Sequence, residues 1–213
     1  MNTKFNLIFP MAGEGSRFGY TFKPFLEIEN QGNFIELAFK PFKKHISKIE
    51  RIVFVFLKSQ DEKYDVSNKL KSIFEGVEFE TCILEKMTSG PAETIRLAIK
   101  KKKIANNLII CDCDHTLNVD EFFKEIENKK VVCTLPIWSL NNEKIKSWSI
   151  VSINENNQVT GIAEKKIPNS VGQFYGVIGC YFLRKSSFLE DENYKNISDC
   201  VNKLIQSKEM ITA

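Results

Sequence analysis

The chain has 213 residues, a length typical of one domain or at most two and sufficient to bury a sizeable core. Hydrophobic residues make up 43% and the formal net charge is only +3, which does not favour a nucleic-acid partner. No apolar run approaches the roughly 20 residues of a membrane span and no cleavable signal pattern is visible, so we expect a single cytoplasmic domain over residues 1–213 with no membrane partner.

Apolar runs alternate with amphipathic segments through the first two thirds of the chain. Apolar runs predict strands over residues 5–9, 51–57, 77–84, 108–111 and 131–137. Helical periodicity predicts helices over residues 33–42, 62–74, 92–102 and 119–128. This alternation predicts an α/β fold, a Rossmann-like three-layer sandwich with a mixed, mostly parallel sheet between helices.

The C-terminal third has a different pattern. Residues 148–153 and 158–162 alternate around Glu155-Asn156-Asn157, which predicts an antiparallel hairpin, and residues 177–183 form a further predicted strand. No linker or low-complexity tract separates this part from the rest. We therefore expect a small antiparallel lobe, at about residues 138–185, within the same domain.

A glycine-rich segment follows the first predicted strand and ends in Ser16-Arg17, with Lys23-Pro24 six residues later. Glycines let the backbone approach a phosphate closely, and Arg17 and Lys23 add positive charge. The spacing matches neither a P-loop nor a dinucleotide fingerprint, whose third glycine is replaced here by Phe18. The segment predicts a triphosphate cradle, and an ordinary strand-to-helix turn is the alternative.

The order Gly13-Glu14-Gly15-Ser16-Arg17, followed by Lys23-Pro24, resembles the signature of the sugar-phosphate nucleotidyltransferases. The resemblance implies a GT-A-like nucleotidyltransferase fold. It implies that the chain transfers a nucleotidyl group from a nucleoside triphosphate to a phosphorylated small-molecule acceptor. It also implies that Arg17 and Lys23 are catalytic and that the preceding segment binds the nucleotide through Met11, Ala12, Gly13, Glu14, Gly15 and Ser16.

A second candidate site is Asp112-Cys113-Asp114-His115, which directly follows the predicted strand 108–111. Alternation places two carboxylates two residues apart on one side, where they suit a hard cation such as Mg²⁺. Phosphoryl-type transfer requires such a cation, whereas the alternative is that Asp114 caps a turn. The resemblance implies that Asp114 binds Mg²⁺ and that Asp112 contacts the nucleotide. It gives Asp199 as the second metal ligand, although Ser198-Asp199 is equally typical of a helix start.

The same resemblance assigns two further contact regions. Gly90, Pro91 and Ala92 would read the edge of the nucleobase, although a proline in the first turn of a helix is equally ordinary. After the predicted hairpin, Glu164 would bind acceptor hydroxyls and Lys165 the acceptor phosphate, with a solvated charged turn as the alternative. Gly179 would line the acceptor pocket, because a glycine within a strand often marks a close approach.

These motifs predict an in-line attack of the acceptor phosphate on the α-phosphorus, with release of pyrophosphate. We favour CTP and a sugar 1-phosphate as substrates, in the synthesis of cell-surface polysaccharide precursors such as those of a capsule, although residue types do not determine base or acceptor. One alternative is a cytidylyltransferase acting on a non-sugar phosphate of the phosphocholine or phospho-amino-acid type. Others are a metal-dependent glycosyltransferase and a non-catalytic nucleotide-binding module. Assembly into a homo-oligomer is left open.

Overall fold

The computed structural model of the chain describes residues 3–15, 19, 21–140, 145 and 147–213. Its strands, in chain order, are β1 (Phe5–Pro10), β2 (Glu27–Ile28), β3 (Gly32–Asn33), β4 (Ile49–Leu57), β5 (Glu80–Leu84), β6 (Asn106–Cys111), β7 (Cys133–Thr134), β8 (Ile137–Ser139), β9 (Ser149–Ile153), β10 (Val159–Glu164), β11 (Gln173–Val177), β12 (Cys180–Lys185) and β13 (Ile211–Thr212). Its α-helices are α1 (Phe34–Phe39), α2 (Lys58–Tyr64), α3 (Val66–Ile73), α4 (Pro91–Lys102), α5 (Val119–Glu127) and α6 (Ile197–Gln206).

The central layer is a seven-stranded mixed sheet in the order β13-β7-β12-β6-β1-β4-β5. Strands β6, β1, β4 and β5 run parallel to one another, as expected from strands that alternate with helices. Strand β12 is antiparallel to both β6 and β7. The predicted α/β sandwich with a mixed, mostly parallel sheet is therefore confirmed.

The two faces of this sheet pack on different partners. In β1, Phe5, Leu7 and Phe9 belong to the core beneath α1, α3 and α5, whereas Ile8 belongs to the core shared with α4 and α6. The second core also includes the four-stranded antiparallel sheet β10-β9-β11-β8, which contains the predicted hairpin. Because β1 is buried on both faces, its sequence is a nearly continuous apolar run. Among the described residues, no helix combines the length and apolarity needed to span a membrane.

Two predicted helices are broken in the structure. The helix predicted over residues 33–42 begins at the capping residue Asn33 but leaves the α-conformation after Phe39, and residues Lys40–Lys48 form 3₁₀ turns. Pro41 accounts for this change, since proline cannot donate the hydrogen bond that an α-helix would require there. The helix predicted over residues 62–74 is two helices, separated by Asp65 in the left-handed conformation (φ 53°).

Two predicted strands are each divided between the two sheets. Residues 131–137 contribute β7 to the large sheet and the first residue of β8 to the small one. Residues 177–183 contain the end of β11 in the small sheet and the start of β12 in the large sheet. The second crossing occurs at Ile178 and Gly179, where the Asp112 amide donates to the Gly179 carbonyl over 2.7 Å. This bond fixes the chain crossing beside the carboxyl end of β6.

Arg184 of β12 anchors the end of α5 to the sheet. Its guanidinium donates to the carbonyls of Ile126 (2.8 Å), Asn128 (2.8 Å) and Val131 (3.0 Å). We expect Arg184→Ala to lower the free energy of unfolding by about 2–3 kcal/mol, because charged hydrogen bonds are lost and carbonyls lose their partners. Urea unfolding measures this change. Arg96→Ala, which removes a single exposed bond to the Asp191 carbonyl, is the control, and an equal loss in both variants would contradict the prediction.

Candidate active site

A cavity of about 690 Å³ lies where the carboxyl ends of β1 and β6 meet the small sheet. This is the edge at which ligands bind in open α/β sheets. It is lined by predicted site residues from distant parts of the sequence: Met11, Gly13, Gly15, Lys23, Pro91, Asp112, Asp114, Glu164, Lys165 and Gly179. The fold therefore brings the predicted triphosphate, metal and acceptor residues to one place.

Other predicted site residues have different surroundings. Ser16 and Arg17 lie outside the described residues. Ala12 and Ala92 are buried in the core, and Glu14 is exposed. Gly90 packs so tightly against the chain that a Cβ there would lie 2.3 Å from the Lys195 carbonyl oxygen. The base-reading role of residues 90–92 stays a prediction, with Pro91 as the member that lines the cavity.

The glycine segment is held in a tight turn after β1. Gly15 has φ +65°, and a Cβ there would lie 2.3 Å from the Thr21 carbonyl oxygen, so a side chain is excluded on two grounds.

Buried Gln60, in the first turn of α2, donates from Nε2 to the Gly13 carbonyl (2.9 Å) and accepts from the Leu57 amide (2.8 Å). Gln60 thus ties the segment to the end of β4, a role that no sequence motif indicated.

Lys23 lines the same cavity as the glycine segment and contacts the predicted metal ligand Asp114. It begins a short 3₁₀ turn, Lys23–Phe25, whose Pro24 is buried. The Lys23 ammonium forms an ion pair with the Asp114 carboxylate. The structure therefore places a predicted triphosphate ligand and a predicted metal ligand in direct contact.

Asp112, Asp114 and His115 form a charged cluster just beyond β6. Burial and the neighbouring Asp114 carboxylate raise the pKa of Asp112 to about 6. Burial alone would raise the pKa of Asp114, but close contacts with His115 and Lys23 hold it well below its usual value. Burial alone would lower the pKa of His115, yet the two carboxylates raise it. The Asp112 and His115 shifts reflect the negative charge gathered in the cluster, whereas the lowered pKa of Asp114 reflects its cationic neighbours Lys23 and His115.

The cluster has the donor set of a divalent-cation site. One ligand atom from each of Asp112, Asp114 and His115 can be chosen so that all lie within 4.8 Å of one another. All three side chains line the main cavity, and Gly179 packs closely against two of them, since a Cβ at this glycine would lie 2.3 Å from Asp112 Oδ2 and 2.9 Å from His115 Nδ1. Carboxylates suit hard cations, and an imidazole adds a nitrogen ligand. The residues present therefore fit the implied metal.

Asp199 is placed differently from the other predicted metal ligand. It stands in the first turn of α6, where its Oδ2 accepts from the amides of Lys195 (3.0 Å) and Asn196 (2.8 Å). It lines a second cavity, of about 630 Å³, beside β10. The structure thus gives Asp199 a helix-capping contact rather than contact with Asp114, and its role as a metal ligand stays a prediction.

The small sheet supplies the opposite wall of the main cavity. The Ser149 hydroxyl donates to the Glu164 carboxylate, and the Lys165 amide donates to the Trp148 carbonyl over 2.9 Å. The Trp148 ring packs edge-on against Trp138, with ring centroids 4.9 Å apart. Sequence reasoning did not assign several other residues to the wall, because no local pattern relates them to the glycine segment; they include Trp148, Ser149, Tyr181 and Asn196.

A family model described as nucleotidyl transferase matches residues 13–212. Among solved structures, a nucleoside-diphosphate-sugar pyrophosphorylase from Vibrio cholerae RC9 is 18% identical, with a TM-score of 0.72 and coverage of 97% of this chain and 90% of that one. The inositol-1-phosphate CTP transferase from T. maritima is 14% identical (TM-score 0.76, covering 99% and 84%). A putative glucose-1-phosphate thymidylyltransferase from Bacillus anthracis is 20% identical (TM-score 0.76, covering 98% and 85%). At sequence identities of 14–20%, the similarity to these solved structures establishes the fold alone. No curated protein matches the sequence.

Proposed function

The chain belongs to the nucleotidyl transferase family, and we propose that it transfers a nucleotidyl group from a nucleoside triphosphate to a phosphorylated small molecule, with release of pyrophosphate. One observation carries this proposal. A single cavity is lined by the glycine segment and Lys23, by Asp112 and Asp114, and by Glu164 and Lys165. Cationic and backbone donors for two phosphorylated substrates therefore surround one carboxylate cluster.

The proposed mechanism is positioning combined with charge neutralisation. Lys23 and the backbone amides of the glycine segment bind the triphosphate, together with Arg17. Lys165 binds the acceptor phosphate, which is ionised at neutral pH and attacks the α-phosphorus in line without a general base. Asp114 and Asp112 would hold a divalent cation, Mg²⁺ in this proposal, and that cation would supply neutralisation of the charge on the α-phosphate and the departing pyrophosphate.

A sugar 1-phosphate is the first acceptor that we propose, with CTP as the first triphosphate and a role in cell-surface polysaccharide synthesis. The Glu164 carboxylate, which accepts from the Ser149 hydroxyl, has further acceptor capacity for sugar hydroxyls on the cavity wall. The similar structures include enzymes of sugar and inositol phosphates.

A phosphorylated, positively charged acceptor of the phosphocholine or phospho-amino-acid type is the second candidate. Trp148 lines the cavity and is backed by Trp138, and the Glu164 carboxylate lies on the same wall. Aromatic faces bind cationic groups, and a nearby carboxylate strengthens that attraction. This wall therefore suits an ammonium group as well as a sugar ring.

Pyrophosphate release with Mg²⁺ tests the proposal. Ribonucleoside triphosphates are screened against sugar 1-phosphates, phosphocholine and phosphorylated amino-acid derivatives, using full-length protein. Release that requires one triphosphate and one acceptor would support the transferase and identify both substrates. Release of nucleoside diphosphate from a nucleotide sugar would instead favour a glycosyltransferase, and triphosphate binding without any release would favour a non-catalytic binding module.

Gln60 is expected to act as a positioning residue for the glycine segment. Gln60→Ala removes the donor to the Gly13 carbonyl and leaves the Leu57 amide without its acceptor. We expect the KM for the triphosphate to rise about tenfold through lost orientation, with a smaller change in kcat. Steady-state kinetics measure this split, and Gln31→Ala at an exposed turn is the matched control. An unchanged KM in Gln60→Ala would contradict the assignment.

A further inference from the structure

We propose that His115 is a ligand of the divalent cation and that the site therefore binds first-row transition ions in preference to Mg²⁺. The inference deepens the proposed function, because it concerns the cation of the same site. It rests on the position of one imidazole nitrogen, on the cavity that the cluster lines and on the packing that fixes the ring.

The Nδ1 atom of His115 is buried and has no hydrogen-bond partner among the described residues. It lies 3.1 Å from Asp114 Oδ1, within ion-pair distance, so the imidazole adjoins a predicted metal ligand. Buried polar atoms in proteins are nearly always paired, and an unpaired one calls for an explanation. A cation bound between the imidazole and the carboxylates would satisfy this atom.

The cluster opens on the main cavity, since Asp112, Asp114 and His115 all line it. Gly179 packs closely against two of these side chains, because a Cβ there would lie 2.9 Å from His115 Nδ1 and 2.3 Å from Asp112 Oδ2. An oxygen donor and a nitrogen donor therefore lie side by side at the cavity wall, where a cation can reach them.

The ring of His115 is held by its neighbours. Its centroid lies 5.2 Å from that of Trp148, with the two planes tilted by 56°. Because Trp148 in turn packs against Trp138, the imidazole is fixed from behind by an aromatic pair. A fixed ring presents its nitrogen with little loss of side-chain freedom on binding.

The donor chemistry decides which cation is preferred. Mg²⁺ favours oxygen ligands and water, whereas imidazole nitrogen favours transition ions in the order Mn²⁺ < Fe²⁺ < Co²⁺ < Ni²⁺. A site with two carboxylates alone would serve Mg²⁺. A third ligand from the His115 imidazole shifts the preference toward transition ions. The two carboxylates can still bind Mg²⁺ when Mg²⁺ is in excess.

Mn²⁺ added alone to the full-length, untagged protein is the probe, and electron spin-echo modulation is the readout. We expect a ¹⁴N coupling from a directly bound imidazole in the wild type and its loss in His115→Gln. Mn²⁺ affinity, measured by calorimetry, is expected to fall at least about tenfold in that variant. Mg²⁺ affinity, measured by competition, is expected to change less than about threefold.

The chain has two histidines, so His45→Gln is the matched control and should keep the nitrogen coupling. If His115→Gln does not fold, persistence of the coupling in His45→Gln still assigns it to His115. Absence of nitrogen coupling in the wild type, loss of it in His45→Gln, or equal Mn²⁺ affinity in wild type and His115→Gln would overturn the inference. The metal-binding measurements use no substrate, so their outcomes do not depend on whether the protein releases pyrophosphate. Failure of the proposed transferase activity would appear only in the pyrophosphate assay.

Discussion

Replacing Lys23 by alanine is expected to lower turnover at least about 100-fold, the range seen when a positioned electrostatic donor is removed. The Lys23 ammonium lies beside Asp114 on the wall of the cavity, so it is placed between the proposed triphosphate and cation sites. In the proposed mechanism its charge lies where negative charge develops on the departing pyrophosphate. The loss should appear in kcat more than in KM, because the interaction strengthens in the transition state.

The fold is expected to survive this substitution. The Lys23 side chain is 27% exposed, and after its removal Asp114 retains the contact with His115. Pyrophosphate release under saturating substrates measures the effect, with thermal unfolding as the test of folding. Lys100→Ala, at an exposed position near the end of α4, is the matched control and should have full activity. A loss of less than about threefold in Lys23→Ala would show that Lys23 is not part of the catalytic apparatus.

The parts of the fold that the sequence predicted best are those determined by local pattern. Strand β1 and strand β6 are buried on both faces, so their apolar runs are unambiguous. Helix α4 starts at Pro91, whose ring suits a first helical turn, and ends near a run of lysines that complements the helix dipole. The placement of the glycine segment at the cavity also followed from the pattern, because a turn after a parallel strand lies at the ligand-binding edge.

The parts that the sequence did not predict depend on long-range contacts. An apolar run such as residues 177–183 looks like one strand, and only the packing of two sheets against each other shows why it divides at Gly179. The left-handed conformation at Asp65 likewise has no unique local signal. Gln60 and Trp148 reach the site from distant elements, and His115 is visible beside Asp114 in the sequence without any indication of its orientation.

Replacing Gly179 by alanine is expected to weaken the cation site strongly with little effect on stability. The new methyl group would lie 2.3 Å from Asp112 Oδ2 and 2.9 Å from His115 Nδ1, closer than any normal contact. Both atoms are ends of side chains, so the protein can relieve the clash by rotating the carboxylate and the imidazole away. The backbone can remain in place, with the Asp112 amide still bonded to the residue 179 carbonyl. We therefore expect a fall of at least about 100-fold in kcat/KM with Mg²⁺, together with a 10- to 100-fold loss of Mn²⁺ affinity.

Gly13→Ala separates this effect from a general sensitivity to added methyl groups. A Cβ at Gly13 would have no atom within 4 Å, so Mn²⁺ affinity should be unchanged in that variant, although its place in the glycine segment predicts weaker triphosphate binding. Calorimetry with Mn²⁺ alone and urea unfolding distinguish the two outcomes. If Gly179→Ala bound Mn²⁺ like the wild type, the cation would have to lie away from the space between Asp112 and His115. Urea unfolding could instead show a drop in the free energy of unfolding that is large enough to account for the lost activity. Gly179 would then be required for the chain crossing between the sheets, because rotation of the Asp112 carboxylate alone leaves that crossing intact.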